Sequence, residues 1–285
     1  MNREGALTVM PEGPEIHRVA QRLAKALDGQ RTEEVRFGLE RLRGWESDLT
    51  GATVTSVRSR GKAMLIGVDS GLTIYSHNQL YGRWDLRRAT TAPKPTNRSL
   101  RMLIRTPNHA ARLYSASDIE VLDPVGLASH PFLAKLGPDL LDPDQSMRDL
   151  IDHVTSGRFD RRRLDHLLLD QAFLAGVGNY LRSEILFESG LHPRRKLGAL
   201  STDERTRLVE QARTVTQRAL DHNGVTVDPA LAVRLKEEGI ARRRYRHYVF
   251  TRDGAPCRRC GSEIQHDRVG GRRVDHCPTC QPSVP

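Results

Sequence analysis

The first patterned part of the chain opens with Met10-Pro11-Glu12-Gly13-Pro14-Glu15-Ile16, and its chemistry depends on the ring nitrogen of Pro11. Within a chain this nitrogen is a tertiary amide and cannot act as a nucleophile. At a chain terminus it becomes a secondary amine, and an α-amino group titrates near ~8, so a useful fraction is neutral at physiological pH. Glu12 and Glu15 are adjacent candidates for proton donor and base. Taken alone, the stretch is more typical of a helix start with Pro11 at its first position.

Residues 1 to 9 show no periodicity and precede a second methionine, Met10. We interpret them as a disordered lead or as the product of a mis-set start codon. A chain that keeps them has no free nitrogen at Pro11. We therefore expect synthesis from Met10, followed by removal of that methionine.

The composition indicates a polyanionic partner. The 285 residues carry 45 Lys+Arg against 35 Asp+Glu, a net charge of +10 and a pI of about 9.9. Such an excess favours nucleic acid first and an anionic membrane surface second. The sequence has no apolar run near the ~20 residues of a membrane span, and residues 1–9 lack the apolar core of a signal peptide. We therefore expect a soluble, intracellular protein whose length allows one or two cores.

Hydrophobic periodicity predicts an α+β protein with several domains. Apolar residues recur at helical spacing from 15 to 27, with Gly29 where a C-cap belongs, and predict one amphipathic helix. Short β-rich runs separated by turn signals follow and predict a two-layer β-sandwich behind that helix. The predicted strands are 34–37, 53–58, 63–68, 72–76, 100–104, 111–114 and 120–122.

A proline-punctuated boundary lies between residues 130 and 143, and helical patterns dominate beyond it. The last helix begins at Ser201 and Glu204, which form a capping box. The weakly patterned stretch 222–240 predicts a mobile connection. The predicted helices are 147–154, 164–169, 179–188 and 202–221.

Four cysteines near the end of the chain form the strongest physical pattern in the sequence. They make two pairs with two residues inside each pair, and each pair can give two thiolates to one tetrahedral ion. The stretch 269–272 is typical of a hairpin turn that would bring the pairs together. Zinc is the expected metal, in a structural role, because four cysteines leave no position for water. Two disulfides are the alternative, improbable in a reducing compartment, and His266 and His276 are expected to be hairpin side chains rather than ligands. The cysteines are Cys257, Cys260, Cys277 and Cys280.

Two features suit contact with a phosphate backbone. Arginines precede and enter the cysteine region, although any one of them is equally well explained as a solvated surface residue. The turn Gly176-Val177-Gly178-Asn179 starts a helix whose unpaired N–H groups attract a phosphate. Glycine turns between helices are common, so this second signal is of moderate specificity.

Two further stretches lie at predicted turns. Lys62, at a turn into a strand, could hold a phosphate or donate a proton, although an ordinary surface lysine is the better interpretation by itself. Gln79-Leu80-Tyr81 follows a strand and could wedge into a base stack. Core packing by Leu80 and Tyr81 explains the pattern about equally well.

Together these motifs resemble the formamidopyrimidine-DNA glycosylase family, in its bacterial endonuclease VIII branch. The resemblance runs from residue 10 to the last cysteine and also includes 75–82 and 114–120. It implies an N-terminal β-sandwich with a leading helix, a helix-two-turn-helix domain and a zinc β-hairpin that bind damaged double-stranded DNA. The implied divisions are a lead at 1–9, a catalytic domain at 10–130, a linker at 131–145, a helix-two-turn-helix domain at 146–240 and a zinc-finger hairpin at 241–285.

The resemblance also implies catalytic roles for matching residues. Pro11 would attack C1′ of the damaged nucleotide and form a protonated Schiff base, with Glu12 as proton donor and Glu15 in support. Lys62 matches the family lysine that contacts phosphate and assists β-elimination. Arg272 matches the hairpin arginine implicated in δ-elimination.

Other matching residues would contact DNA. Asn179 would bind a backbone phosphate, and Gln79-Leu80-Tyr81 would fill the gap left by the flipped nucleotide. This trio resembles the oxidised-pyrimidine branch. Lys135 stands where that branch has arginine. A lysine keeps the positive charge that pairs with a phosphate, but it loses the two parallel hydrogen bonds that a guanidinium can donate. Within residues 222–247 no family motif supports the resemblance.

The resemblance therefore implies a bifunctional base-excision repair enzyme that removes oxidised pyrimidines and nicks the strand by β,δ-elimination. It would be a monomer in the bacterial cytoplasm with one structural Zn²⁺. Two alternatives stay open: excision of oxidised purines by the same chemistry, and a non-catalytic zinc-ribbon protein that binds distorted duplex. Borohydride trapping on abasic DNA separates an enzyme from a binder.

Overall fold

The computed structural model describes residues 11–283, so the predictions for residues 1–9 and for removal of Met10 fall outside the described residues. The chain divides into two compact units. Unit 1 holds Pro11 and Ile16–Ala134, and unit 2 holds Glu12–Glu15 and residues 135–283. The finer domain limits drawn from the sequence stay predictions.

Unit 1 contains two four-stranded antiparallel sheets, which confirms the predicted β-sandwich. One sheet has the order β1-β6-β7-β5 and the other β2-β3-β4-β8. The strands are β1 Glu34–Phe37, β2 Val54–Arg60, β3 Ala63–Val68, β4 Thr73–His77, β5 Arg83–Arg88, β6 Leu100–Arg105, β7 His109–Tyr114 and β8 Asp118–Leu122. Two short helices, α2 Glu46–Leu49 and α3 Pro124–Ser129, complete the unit.

Helix α1, Gly13–Leu27, is the predicted leading helix and begins two positions earlier than expected. Its apolar residues recur every three or four positions, so they share one face. Ile16, Ala20, Leu23 and Leu27 are buried in the same core as the strands of both sheets. The amphipathic pattern therefore predicted both the helix and its buried face.

Strand β5 was missing from the prediction. It is an edge strand that pairs only with β7 in its sheet, and its charged residues alternate with Trp84 and Leu86, which pack against the core. Charges on an edge strand discourage further pairing. Because these charges interrupt the apolar run, the sequence pattern did not predict the strand.

Unit 2 is helical around one large core, and the four predicted helices are present. The capping box at Ser201 and Glu204 is confirmed, since each side chain accepts the backbone N–H of the other residue. The helices are α4 Met147–Thr155, α5 Leu164–Leu167, α6 Asn179–Ser189, α7 Thr202–Asp221, α8 Pro229–Glu237 and α9 Arg242–Tyr245. Among the described residues, no helix has the length and apolar character that crossing a membrane requires.

Helix α8 lies in the stretch that was predicted as a weakly patterned connection, and that prediction was wrong about its structure. Asp228 caps the helix by accepting the N–H groups of its second and third residues, and Pro229 occupies its first position. Val225 and Val227, just before it, are buried in a core with Val249. An Asp-Pro helix start was a recognisable sequence signal.

The predicted hairpin near the end of the chain is confirmed. Strands β9, Gln265–Val269, and β10, Arg272–His276, are antiparallel and joined by Gly270-Gly271. Both glycines have positive φ, 55° and 75°, as a two-residue hairpin turn requires. His266 and His276 are strand residues, as expected.

Candidate active site and metal centre

The carboxylate of Glu12 is buried against the first turn of α6. Its Oε2 accepts the N–H groups of Gly178 (2.8 Å) and Leu181 (3.2 Å), and its Oε1 accepts that of Tyr180 (2.9 Å). Only 2% of Glu12 is exposed. A negative charge is stable at this place because of the helix dipole and the otherwise unpaired N–H groups. Glu12 therefore anchors the chain directly after Pro11.

This contact corrects one prediction. The N–H groups at the start of α6 were expected to attract a DNA phosphate, but three of them donate to Glu12. The glycine turn serves the same contact: a Cβ at Gly178 would lie 2.2 Å from Glu12 Cδ, and Gly13 N–H donates to Gly176 O at 2.9 Å. The turn accommodates an acidic segment of the chain itself.

Glu15 belongs to the same cluster. Its Oε2 accepts the backbone N–H of Glu12 (3.1 Å), and the Tyr180 hydroxyl lies 3.1 and 3.2 Å from its two oxygens. Burial, followed by the charges of Glu15 and Glu12, raises the pKa of Tyr180 well above its usual value. The hydroxyl therefore stays protonated and donates a hydrogen bond to Glu15. Tyr180 was not predicted as a site residue, and its place beside Asn179 was the available signal.

Arg182 of α6 holds the strand that begins with Arg272. Its guanidinium donates to the carbonyls of Arg273 (2.6 Å) and Asp165 (2.7 Å), and its side chain is fully buried. Burial lowers the pKa of Arg182 to about 10, so it stays charged at neutral pH. Arg272 itself is exposed beside the hairpin turn. Sequence analysis missed Arg182 because its partners lie far away along the chain.

A second buried acid joins α6 to the segment before the hairpin. Glu184 accepts the N–H groups of Tyr248 (2.7 Å), Val249 (2.8 Å) and Phe250 (2.9 Å), and the hydroxyl of Thr226 (2.6 Å). Burial raises the pKa of Glu184, and these hydrogen bonds oppose the shift. Helix α6 thus contacts the acidic segment at its start and the hairpin region along its length.

Lys62 and the Gln79-Leu80-Tyr81 stretch lie at the same end of one sheet. Lys62 occupies the turn between β2 and β3, and the register of β3 and β4 places Ala63 opposite His77. Burial lowers the pKa of His77, with Asp118 opposing the shift and Lys62 adding to it. A neutral histidine therefore precedes the loop at neutral pH.

The loop after β4 is exposed and internally bonded. Gln79 has a φ of 50°, in the left-handed region, and its side-chain Oε1 accepts the Ser117 hydroxyl at 3.0 Å. Gly82 N–H donates to Asn78 O at 2.7 Å. Tyr81 is 61% exposed, so core packing is wrong for this residue, whereas Leu80 is half-buried.

Pro11 and Lys135 lie where the chain passes from one unit to the other. Pro11 is half-buried and directly precedes the anchored Glu12. Lys135 is exposed at the end of a short 3-10 turn, Leu133–Lys135. Among the predicted residues, unit 2 brings together Glu12, Glu15 and Asn179, the first residue of α6.

The four cysteines form one cluster in unit 2. Their sulfurs lie within 4.8 Å of one another, with 3.4 Å between Cys260 and Cys277 and 3.9 Å between Cys257 and Cys280. Sulfurs bound at about 2.3 Å to one tetrahedral ion are roughly 3.8 Å apart, so this donor set fits a single metal ion. Within residues 11–283 it is the one group of at least three metal-ligand side chains. All four are free thiols, so the two-disulfide alternative was wrong.

Comparison with known proteins places these features in a family. The model of the formamidopyrimidine-DNA glycosylase N-terminal domain matches residues 10–116, and that of the H2TH domain of the same family matches residues 136–229. Endonuclease 8 of Escherichia coli O17:K52:H18 is 43% identical, and endonuclease 8 of Klebsiella pneumoniae is 41% identical. Each comparison covers 95% of this chain and 100% of the relative.

A solved structure shares the fold. Lactococcus lactis formamido-pyrimidine DNA glycosylase, bound non-covalently to DNA containing an AP site, matches with a TM-score of 0.78 and 21% identity. The match covers 95% of this chain and 100% of that one. Because the family models match most of the chain and the endonuclease 8 relatives align along nearly all of it, the chain belongs to the formamidopyrimidine-DNA glycosylase family.

Proposed function

We propose that Pro11 is the nucleophile of a bifunctional DNA glycosylase and AP lyase. The chain is a base-excision repair enzyme of this class, and it removes oxidised pyrimidines from duplex DNA. The secondary amine of Pro11 attacks C1′ of the damaged nucleotide, and the base leaves with the electron pair of the N-glycosidic bond and takes a proton from water. The attacking nitrogen gives its N–H proton to the Glu12 carboxylate, its lone pair then opens the sugar ring, and Glu12 passes this proton to the departing ring oxygen. The product is a Schiff base in the form of an iminium ion, whose positive charge needs no added proton because the amine is secondary.

The observation that carries this proposal is the anchoring of Glu12. Three N–H groups hold its carboxylate, so the residue next to Pro11 has one position. Holding a nucleophile and a proton donor in fixed geometry is a large part of catalysis. Glu15 supports the arrangement by accepting the Glu12 N–H and the Tyr180 hydroxyl.

Strand cleavage follows from the Schiff base. Loss of a proton from C2′ expels the 3′ phosphate in β-elimination, and a second proton loss expels the 5′ phosphate in δ-elimination. We assign Lys62 to the first step and Arg272 to the second, because each is a cation that can pair with a phosphate. Arg182 positions Arg272 through the carbonyl of Arg273.

DNA contacts complete the proposal. The exposed Gln79-Leu80-Tyr81 loop fills the space of the extruded nucleotide. Asn179 and Lys135 bind backbone phosphates, with Asn179 acting through its side chain because the N–H groups around it are engaged by Glu12. The relatives are bacterial, so we place the enzyme in the cytoplasm, where a bacterial chromosome lies.

We assign one structural Zn²⁺ to the four cysteines. The choice of zinc rests on the donor set, since four thiolates in a tetrahedral cluster suit this ion and leave no open position. The ion would supply folding energy to the hairpin that carries Arg272. It takes no part in the chemistry.

Borohydride trapping tests the nucleophile. A chain that begins at Pro11 should crosslink to abasic duplex DNA in the presence of borohydride, and its Pro11→Gly variant should largely lose the crosslink. The matched control is a chain that keeps residues 1–10, in which the same nitrogen is an amide. If this control crosslinks and cleaves as well as the chain beginning at Pro11, the proposed nucleophile is wrong.

Paired substrates test the preferred lesion. Duplexes with thymine glycol and with 8-oxoguanine should be cleaved at different rates, with thymine glycol the faster. The opposite order would assign the enzyme to oxidised purines. Crosslinking to neither abasic nor damaged DNA would identify a non-catalytic binder.

A further inference from the structure

A basic pocket in unit 1 is not used by the catalytic scheme above. It lies between edge strand β5 and the 89–99 segment that connects β5 to β6. Cationic side chains from both parts line it, together with Tyr114 and one carboxylate. The residues that matter here are Arg83, Asp85, Arg87, Lys94, Arg98 and Tyr114.

The pocket keeps a strong positive charge. Alternation along β5 places Arg83, Asp85 and Arg87 on one face of the strand. Asp85 pairs with Arg87 at 2.8 Å and offsets its charge. Within the described part of the chain, Arg83, Lys94 and Arg98 have no carboxylate at salt-bridge distance. These three cations therefore line the pocket without a paired counter-ion.

The segment that carries Lys94 and Arg98 is held in place. Pro93 and Pro95 flank Lys94 and restrict its backbone. The backbone N–H of Arg98 donates to the Thr96 hydroxyl at 3.2 Å, and the neighbouring Ser99 carbonyl accepts the Ser115 N–H at 2.9 Å. The cations are thus presented by a restrained backbone, which lowers the entropy lost on binding an anion.

Arg98 connects the pocket to the loop that is expected to enter DNA. Its guanidinium donates to the backbone carbonyl of Tyr81 at 2.8 Å. The side chain of Tyr81 is exposed, so this bond restrains the loop without burying its tip. An anion in the pocket would therefore sit directly beside the Gln79-Leu80-Tyr81 loop.

We propose that this pocket binds one backbone phosphate of the duplex near the extruded nucleotide. The inference rests on the proposed function, which brings DNA to the Gln79-Leu80-Tyr81 loop. A phosphate matches the pocket because guanidinium and ammonium groups donate charge-assisted hydrogen bonds to its oxygens. Binding there fixes the register of the duplex relative to the loop.

A phosphate walk tests the pocket. The probe is a duplex with a tetrahydrofuran abasic analogue, in which a single phosphate is replaced by a neutral methylphosphonate at successive positions on both strands. For the chain that begins at Pro11, one position attributable to the pocket should lower affinity by about tenfold or more, as expected for a lost charged hydrogen bond. In the double variant Arg83→Ala, Lys94→Ala that loss should disappear, and the slope of log affinity against log salt should decrease by about 1 to 2.

Arg88→Ala is the matched control. Arg88 lies on the same strand, carries the same charge and points to the opposite face of β5. This variant should keep the full methylphosphonate effect. If each methylphosphonate lowers the affinity of the wild-type chain and of the double variant by the same factor, the inference is wrong. Borohydride trapping of the same proteins keeps the two proposals apart, because failure of the walk with normal trapping overturns the pocket alone, and failure of trapping overturns the nucleophile.

Discussion

The contact between Glu12 and Gly178 fixes the position of the residue that follows Pro11. The two residues are 166 positions apart, and the glycine leaves just enough room for the carboxylate. Hydrogen bonds to a charged group contribute about 1.5–3 kcal/mol each, so three of them outweigh the conformational entropy that the Glu12 side chain loses when it is held in place. A helix start that could bind a phosphate is used here to position an acid.

Gly178→Ala should slow base excision. The added Cβ would overlap the Glu12 carboxylate and displace it, and a general acid contributes roughly 10²–10⁴-fold to a rate. We expect a loss of about 100-fold or more in single-turnover excision of thymine glycol. Cleavage of a preformed abasic site should fall much less, because its open-chain aldehyde does not require protonation of a sugar ring oxygen.

Gly44→Ala is the control for that variant. A Cβ at Gly44 would meet no heavy atom within 4 Å, so this substitution should leave both rates unchanged. Equal losses of excision and abasic-site cleavage in Gly178→Ala would indicate general damage to the fold and would remove the support for Glu12 as proton donor.

Among the secondary-structure elements, α6 organises unit 2. Nearly all of its residues are buried, including Arg182 and Glu184, so it has no solvent face and no amphipathic period. Its two fully buried charged side chains are stable inside because both have backbone partners from a distant segment. The helix links the acidic segment, the hairpin and the segment around His247.

His247 predicts that unit 2 loses stability in mild acid. Burial, followed by the charges of Arg246 and Arg242, holds the pKa of His247 well below 6.5. The unfolded chain therefore binds a proton below pH 6.5 that the folded chain does not bind. The stabilisation is present above that pH, and the free energy of unfolding should fall by about 1.4 kcal/mol per pH unit below it. Urea unfolding across that range measures the slope.

His247→Asn tests the assignment. Asparagine can keep a hydrogen bond to Thr226, which lies 2.9 Å from His247 Nδ1, but it does not titrate. The variant should have a shallower pH slope than the wild-type chain, although other buried histidines still contribute. Exposed His222→Asn should keep the wild-type slope. A His247→Asn slope equal to the wild type would contradict the prediction.

Removal of the metal should change unit 2 and leave the structure of unit 1 unchanged. The cysteines contribute to a small core with Val249 and Ile264, so we expect the proposed ion to supply much of the hairpin's stability. Chelation should release one zinc per chain and abolish binding to duplex DNA. Both tryptophans, Trp45 and Trp84, belong to unit 1, so their fluorescence should not change.

Added Zn²⁺ should restore DNA binding to the chelated protein. A chain that binds duplex equally well without metal would show that the hairpin does not need the ion. A change in tryptophan fluorescence on chelation would show that loss of the metal spreads into unit 1.

The sequence alone determined the features that local pattern encodes. Cysteine spacing predicted the cluster of four cysteines and its hairpin, and the period of apolar residues predicted α1 and α7 and most strands of the sandwich. These signals are short-range, because a ligand pair, a turn or an amphipathic face involves residues a few positions apart. Strand β5 and helix α8 escaped because charged residues interrupt their apolar pattern.

Only the tertiary structure decided what the polar residues of unit 2 do. Glu12 on α6, Arg182 on the Arg273 carbonyl and Glu184 on three successive N–H groups all join segments more than 60 positions apart. A local pattern cannot show which distant backbone group will meet a carboxylate or guanidinium. The folded chain decides which group it is, because a buried charge is stable only where the surrounding backbone supplies hydrogen-bond partners.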